Sequence, residues 1–199
     1  MRTVVAEWLK LWRMWMPIIS IIAAVEASTR IIGANNDLPW GRNMPSDLAH
    51  FYQTTLDKLI ITGRRTYLSI PEKNGCRLAG RRKIVLTKRS IRIPRADEAI
   101  GTDVAPSLEH ALGLAAKESD EVFIIGGASV FKEALANQNV SRMYLTHVFM
   151  EDEIESSGNE IFFPRYDADE WKCVSNDGRS RKTVSDKYES QRFIYERTA

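Results

Sequence analysis

From Pro17 onward, short apolar runs alternate with stretches whose apolar residues recur at helical spacing, and no other feature restricts the fold as much. The run IISIIAAV, broken only by Ser20, has almost nothing to offer water on either face. Such a strand must be covered on both sides, as happens in a parallel sheet flanked by helices. The expectation is an α/β fold: a single domain with a mostly parallel twisted sheet, flanking helices and a C-terminal antiparallel hairpin. With 199 residues the chain is long enough for one continuous core.

The pattern predicts a first strand over Ile18 to Val25, then a long irregular segment, Glu26 to Pro45, rich in turn formers such as Gly33, Asn35, Asn36, Asp37 and Gly41. A stretch of that length without regular structure points to a functional loop. Ser46 is the expected N-cap of a helix carrying Leu48, Phe51, Tyr52 and Leu56 on one side, so Asp47 falls in its first turn. A strand over Lys58 to Thr62 leads to Gly63 and a helix ending near Ile70, bounded by Pro71. Further strands are expected at Lys83 to Thr87, Glu121 to Ile125 and Met143 to Phe149. Helices are expected at Ser107 to Lys117 and from Gly126-Gly127 to about Ala136. Between Trp171 and Arg197, two β-rich runs flank a polar turn, Ser175 to Ser185, and too short a connection for a parallel crossover makes them a hairpin.

Composition narrows the function classes. A formal charge of +2 gives no electrostatic footprint for nucleic acid, and the basic stretch Arg77 to Arg95, eight Lys or Arg without an acid, lacks the interleaved aromatics such a surface uses. Cys76 and Cys173 have neither disulfide nor zinc spacing, and His50, His110 and His147 are scattered, so no metal is expected and the protein is read as reduced and cytoplasmic. Residues 1 to 16, with Trp8, Trp12 and Trp15, are read as an N-terminal extension to the domain at 17 to 199. Glu7, Lys10 and Arg13 interrupt any signal-like or spanning apolar run. The extension could be disordered or loosely helical, a helix packed on the domain or a partner, or a membrane-surface helix.

Three local features bear chemistry. Asp47 is the one acid between Met44 and Leu56, and on the residues alone it is most simply an acid favoured by a helix macrodipole. Gly126-Gly127 follows an apolar strand and opens a helix, so backbone N–H groups there can approach a pyrophosphate, although such a pair can also be only a turn. Gly63, Arg64, Arg65 and Thr66 begin another helix and form a second anion-competent turn, while Arg65 and Lys88 could equally belong to a solvated basic face.

Taken in order, IIAAV, IIGANNDLPW, MPSDLAHF, IITGRRTY, LAGRRKIVLT, VFIIGGASVF, MYLTHV and FFP resemble the dihydrofolate reductase family, closest to its bacterial type, over nearly all of the chain after residue 16. The resemblance implies reduction of 7,8-dihydrofolate to 5,6,7,8-tetrahydrofolate, with NADPH as cofactor and the small-molecule substrate dihydrofolate as partner: no nucleic acid, no membrane span, a monomer. It implies that Asp47 grips the N3 and 2-amino edge of the pterin through two acceptor oxygens and supports protonation of N5. Thr146 would support that acid, and Trp40 would organise a water beside the pterin. Ile22, Ala23, Ala24, Leu48, Phe51, Ser69 and Ile70 would line the substrate pocket, with Arg81 holding the carboxylate of the glutamate tail. The resemblance places cofactor contacts at Ala24, Ile32, Gly33 and Leu38, at Gly63, Arg64, Arg65 and Thr66, and at Leu86, Thr87 and Lys88. It adds Ile125, Gly126, Gly127, Ala128, Ser129, Val130 and Phe131, with Arg64 meeting the adenosine 2′-phosphate and the Gly126-Gly127 peptide often cis. His147 should face away from Thr146.

The chain departs from the family pattern in five places. Extra residues stand near Ser28, around Gly41 to Asn43 and around Lys73 to Cys76; Ala79 replaces a proline; and Phe131 replaces a frequent tyrosine. The readings that compete are a pyrimidine reductase of the riboflavin pathway with the same fold, and a catalytically silent binding or scaffold protein. Asp47 together with Arg81 argues against the first, and intact Asp47, Gly126, Gly127 and Thr146 against the second.

Overall fold

The computed structural model describes residues 17–73, 76–116, 119–151, 158–180 and 182–198. Through them run β1 (Ile18–Glu26), β2 (Ile31–Gly33), α1 (Pro45–Thr55), β3 (Leu59–Gly63), α2 (Arg64–Ser69), β4 (Arg82–Leu86), α3 (Arg95–Ile100) and β5 (Thr102–Ala105). They are followed by α4 (Leu108–Ala115), β6 (Glu121–Ile124), α5 (Ala128–Ala136), β7 (Val140–Phe149), β8 (Ile161–Phe162), β9 (Trp171–Ser180) and β10 (Glu189–Arg197). The readings of residues 1 to 16 and of a helix end at Lys117 lie outside the described residues.

The main sheet has the order β5-β4-β3-β6-β1-β7-β10-β9. All neighbours from β5 to β7 are parallel, and β10 and β9 add the antiparallel edge. Alternate residues of β1 explain its lack of a polar face. Ile19, Ile21 and Val25 enter a core with Ala111 and Ala115 of α4 and Val130 and Ala134 of α5. Ile22 points the other way, to Ile60 and Phe123, where Phe51 of α1 and Tyr144 close the layer. Each such aliphatic side chain contributes about 1.5–3 kcal/mol by leaving water.

The segment after β1 is more ordered than the sequence led one to expect. β2 pairs with β8, and Ala34 and Asp37 exchange both backbone hydrogen bonds at 3.0 Å around Asn35 and Asn36, both left-handed (φ 52° and 63°). Asparagine tolerates that conformation, which is why two of them make this turn. The added residues near Ser28 are drawn into a turn on Glu26, one carboxylate oxygen of which accepts from the backbone and hydroxyl groups of both Ser28 and Thr29. Those near Gly41 are fixed as well: Gly41 donates to the Leu38 carbonyl at 2.9 Å, and Asn43 accepts from Lys187 at 2.9 Å.

Ser46 is not the N-cap of α1. Pro45 already occupies the first turn, as its fixed φ and missing N–H favour, and the Ser46 N–H is satisfied at 2.9 Å by Asp186 from the terminal hairpin. α3 and β5 also went unforeseen. Each is too short to show a period, and α3 is held by one buried acid, Asp97, which receives Tyr67 Oη, Cys76 Sγ at 2.8 Å and Lys83 Nζ at 3.2 Å. Lys73 and Cys76, the described ends of the insertion there, exchange backbone bonds at 2.9 and 3.0 Å.

Candidate active site

In open α/β sheets, ligands sit beyond the carboxyl ends of the parallel strands. β3 ends there at Gly63 and β6 runs into Gly126-Gly127, and the two turns touch: the Gly63 N–H donates to the Gly126 carbonyl at 2.6 Å, with Thr62 Oγ1 donating to the same oxygen at 3.2 Å. The Gly126-Gly127 peptide is cis. Side chains are excluded from this junction. A Cβ on Gly126 (φ +101°) would stand 2.7 Å from Phe131 Cε2, one on Gly127 2.9 Å from Thr66 Oγ1, and one on Gly63 3.1 Å from Val130 Cγ2. Bare backbone at two helix entrances, at the end of adjacent strands, is a surface suited to phosphate.

Arg64 opens α2 at this place, and its Nε is buried without a hydrogen-bond partner. Buried donors of that kind are normally satisfied, so this one fits a group brought by a ligand. Arg65 is exposed, Thr66 half-buried against Gly127, and Leu86 half-buried at the end of β4. Thr87 Oγ1 is engaged locally with Arg89, donating to its carbonyl and accepting its N–H, both at 3.0 Å, while Lys88 is exposed. Val130 and Phe131 turn into the core, Phe131 lying 5.0 Å from the Phe163 ring, so Ala128 and Ser129 present the more open start of α5. Ile32, Gly33 and Leu38 are all half-buried on the β1–α1 segment.

Asp47 stands across from this junction. It is 7% exposed, and Thr146 on β7, itself 4% exposed, hydrogen-bonds to its carboxylate. Thr146 lies in register with Ala24 of β1 and Arg192 of β10, which fixes it on the face that α1 covers. Burial pushes the Asp47 carboxyl up from its ordinary range; the Thr146 bond and the Arg192 charge oppose that rise, and Asp186 adds to it. His147 faces the other way and packs on Phe193 with ring centres 4.9 Å apart.

Beside the acid, Trp40, Met44, Val148 and Tyr188 form a small buried cluster that Ala24 and Leu38 join. Trp40 is 2% exposed and its Nε1 has no protein partner, so an N–H is available next to the cleft for water or ligand. Ile22, Phe51 and Ile125 share the apolar layer under α1, with Ala23 on the opposite face of β1 and Leu48 half-buried one residue beyond Asp47. Ile70 caps α2, and the exposed Ser69 bonds back to the Thr66 carbonyl at 2.9 Å. At the far end of α1, Arg81 is 1% exposed and donates to Thr55 Oγ1 at 2.8 Å, the Ala79 carbonyl at 2.7 Å and the Tyr52 carbonyl at 2.8 Å. Its guanidinium lies 4.4 Å from the centre of Tyr52 and 5.9 Å from that of Phe51, so Asp47, Phe51 and Arg81 follow one another along the helix.

Of two cavities among the described residues, one borders this region and the other lies apart from it. One of about 180 Å³ adjoins Thr146 and is lined by Ile22, His50, Asp177 and Arg192. The larger, about 330 Å³, lies at the opposite end of β3 beside Asp57, Lys58 and Arg81, away from both the acid and the glycine junction. Size therefore does not locate the chemistry. Sequence reasoning missed Arg192 and Asp186, because both reach the acid from the C-terminal hairpin and neither belongs to a local motif. No helix among the described residues is long and apolar enough to cross a membrane.

The family model for dihydrofolate reductase matches residues 18–197. The chain is 41% identical to dihydrofolate reductase type 3 of Salmonella typhimurium over 131 residues, 66% of this chain and 72% of that one. It is 34% identical to the dihydrofolate reductase of Bacillus subtilis over 179 residues, covering 90% and 94% of the two chains. Among solved structures, dihydrofolate reductase from Enterococcus faecalis complexed with NADP(H) and RAB-propyl superposes with a TM-score of 0.74 at 27% identity, over 92% of this chain and 97% of that one.

Proposed function

Because the chain belongs to the dihydrofolate reductase family, we propose that its cleft reduces 7,8-dihydrofolate to 5,6,7,8-tetrahydrofolate with NADPH, through the residues named above. The observation that carries the assignment of roles is the buried Asp47–Thr146 pair, set on the far side of β1 from the Gly63 and Gly126-Gly127 junction. A substrate anchored at one and a dinucleotide at the other would meet over Ala24 and Ile125.

NADPH, when bound, supplies the hydride that adds to pterin C6. The backbone of Gly63, Gly126, Gly127 and Ala128 would hold its pyrophosphate, and the guanidinium of Arg64, whose buried Nε has no protein partner, would meet the 2′-phosphate, favouring NADPH over NADH. Ile32, Gly33, Leu38 and Ile125 would border the nicotinamide. Asp47 offers two acceptor oxygens to adjacent N–H donors of the pterin, and Thr146 keeps that carboxylate oriented. The charge developing as N5 gains its proton is stabilised by the same anion, and Trp40 Nε1 can hold the water that delivers it. Phe51 and Ile22 exclude solvent along the ring, and Arg81 holds the glutamate carboxylate through the guanidinium hydrogens not spent on Thr55, Ala79 and Tyr52. The protein's part is orientation, a dry pocket and an acidic anchor.

The test is an absorbance assay of NADPH oxidation with dihydrofolate. Turnover that needs both compounds is expected; turnover with a ribosylamino-pyrimidine in place of dihydrofolate would instead identify the riboflavin-pathway reductase, and absence of turnover with either would leave a binding protein.

A further inference from the structure

Arg192 is connected to Asp47 through two neighbours and is itself held by a third. In the sheet it pairs with Thr146, whose hydroxyl bonds Asp47. Its Nη2 donates to the Ser46 carbonyl at 3.4 Å, on the turn that carries Asp47. Its own placement is fixed by Asp177, which accepts the Arg192 backbone N–H at 2.8 Å and Nη1 at 3.2 Å where the β9–β10 register slips. The Arg192 Nε is buried with no partner, so the guanidinium is not fully neutralised by Asp177.

The charges around this turn need such a cation. Asp47 is buried, Asp186 accepts the N–H of the neighbouring Ser46 and is 7% exposed, and Asp177 approaches from β9. His50, one turn along α1, and Tyr144 on β7 complete the titratable lining of the adjoining cavity. Asp186 repels the Asp47 carboxylate, and a cation beside the turn offsets that repulsion.

We propose that Arg192 is a positioning residue for Asp47, strapped by Asp177 into the terminal hairpin so that its guanidinium supplies the counter-charge that holds the pterin-facing carboxylate in place and ionised. The burial that would otherwise protonate Asp47 is opposed by Arg192, while Asp186 reinforces it. Asp177 then sets how much of the Arg192 charge is felt. The proposal rests on Asp47 being the substrate acid, but its test does not depend on turnover.

Carboxyl carbons of ¹³C-labelled aspartate are followed by NMR against pH in the ligand-free protein, the Asp47 signal being the one lost in Asp47→Asn. In Arg192→Met the Asp47 midpoint should rise by about one pH unit or more, the size of a nearby opposite charge. Arg192→Lys should restore most of that shift, and Asp177→Asn should move the midpoint down. The pH dependence of hydride transfer should move in the same order. Equal midpoints in wild type and Arg192→Met, or equal rises in the Met and Lys variants, would overturn the proposal. If Arg192→Met does not fold, Asp177→Asn decides, since Asp177 is exposed; an unmoved midpoint there overturns it. A protein inactive with dihydrofolate but titrating as described would overturn the functional reading alone.

Discussion

The Gly63 N–H and the Gly126 carbonyl meet at 2.6 Å, so the turns that open α2 and α5 are one structure rather than two. A change at either glycine is therefore felt at both. Gly126→Ala places a Cβ 2.7 Å from the Phe131 ring on a backbone with φ +101°, where an L side chain is strained whatever the space. The expected cost is about 1–3 kcal/mol of stability, as for other strained or overpacked positions. Gly127→Ala meets only Thr66 Oγ1, so Thr66→Ala should recover part of its loss, whereas Gly126→Ala should not respond. Thermal unfolding of the three single variants and of Gly126→Ala and Gly127→Ala each combined with Thr66→Ala would show this; equal rescue would mean that the junction relaxes as a unit.

These glycines were legible in the sequence because their signal is local: apolar strand, glycine pair, helical period. Asp47 was placed in the first turn of its helix by the same kind of local signal, though its role came only from the order of motifs, and the hairpin was legible because its two β-rich runs are separated by too few residues to cross over. What surrounds Asp47 was not. The Ser46 N–H finds its acceptor 140 residues away in Asp186, and the Ser46 carbonyl receives Arg192 from 146 residues away. Periodicity cannot report such a partner, and both residues sit on a polar edge that reads as solvent-exposed. β2 and β8 were missed for a related reason: three and two residues, paired across the chain, are too short to alternate.

Arg64→Ala should narrow the preference for NADPH over NADH, because a guanidinium paired with a 2′-phosphate contributes only when that phosphate exists. Its Nε has no protein partner, so the substitution should cost little stability. Steady-state kcat/KM with each cofactor is the measurement. An equal loss with both would place Arg64 on the shared pyrophosphate instead.

Arg81→Leu should raise the dihydrofolate KM far more than it lowers kcat, since the glutamate carboxylate is remote from the reacting atoms and its binding is uniform. The structure adds a second effect. Three bonds to Thr55, Ala79 and Tyr52 are lost from a residue 1% exposed, and the acceptors left behind should lower stability by about 1–3 kcal/mol. Arg81→Lys should keep part of the fold and little of the substrate affinity, because an ammonium cannot span protein and ligand as a fork does. An unchanged KM in a folded variant would move the carboxylate contact to Arg77 or Arg82.

Asp47→Asn separates activity from stability most sharply. The amide keeps the shape but turns one acceptor into a donor against the N–H edge of the pterin, and it removes the anion that stabilises charge at N5. Hydride transfer at neutral pH should slow by about 10² or more, the lower range of what acid–base assistance supplies. Cofactor affinity should barely change. Lower pH should return part of the rate, because substrate already protonated at N5 needs no help from the enzyme. Stability should move the other way. The Asp47 pKa is raised in the folded protein, burial being the largest cause, so the folded state holds its proton more tightly than the unfolded chain. Folding free energy is therefore lost as pH rises from the ordinary value of 3.8 through the raised one, and at neutral pH the ionised side chain is a net cost. The asparagine variant does not titrate and should be the more stable protein at neutral pH, with the advantage vanishing below the ordinary carboxylate range. Stopped-flow hydride transfer and denaturant unfolding, both run against pH, test the two halves together. Near wild-type transfer rates at pH 7 would remove Asp47 from the mechanism, and a variant less stable at neutral pH would show that the Thr146 and Arg192 contacts outweigh burial.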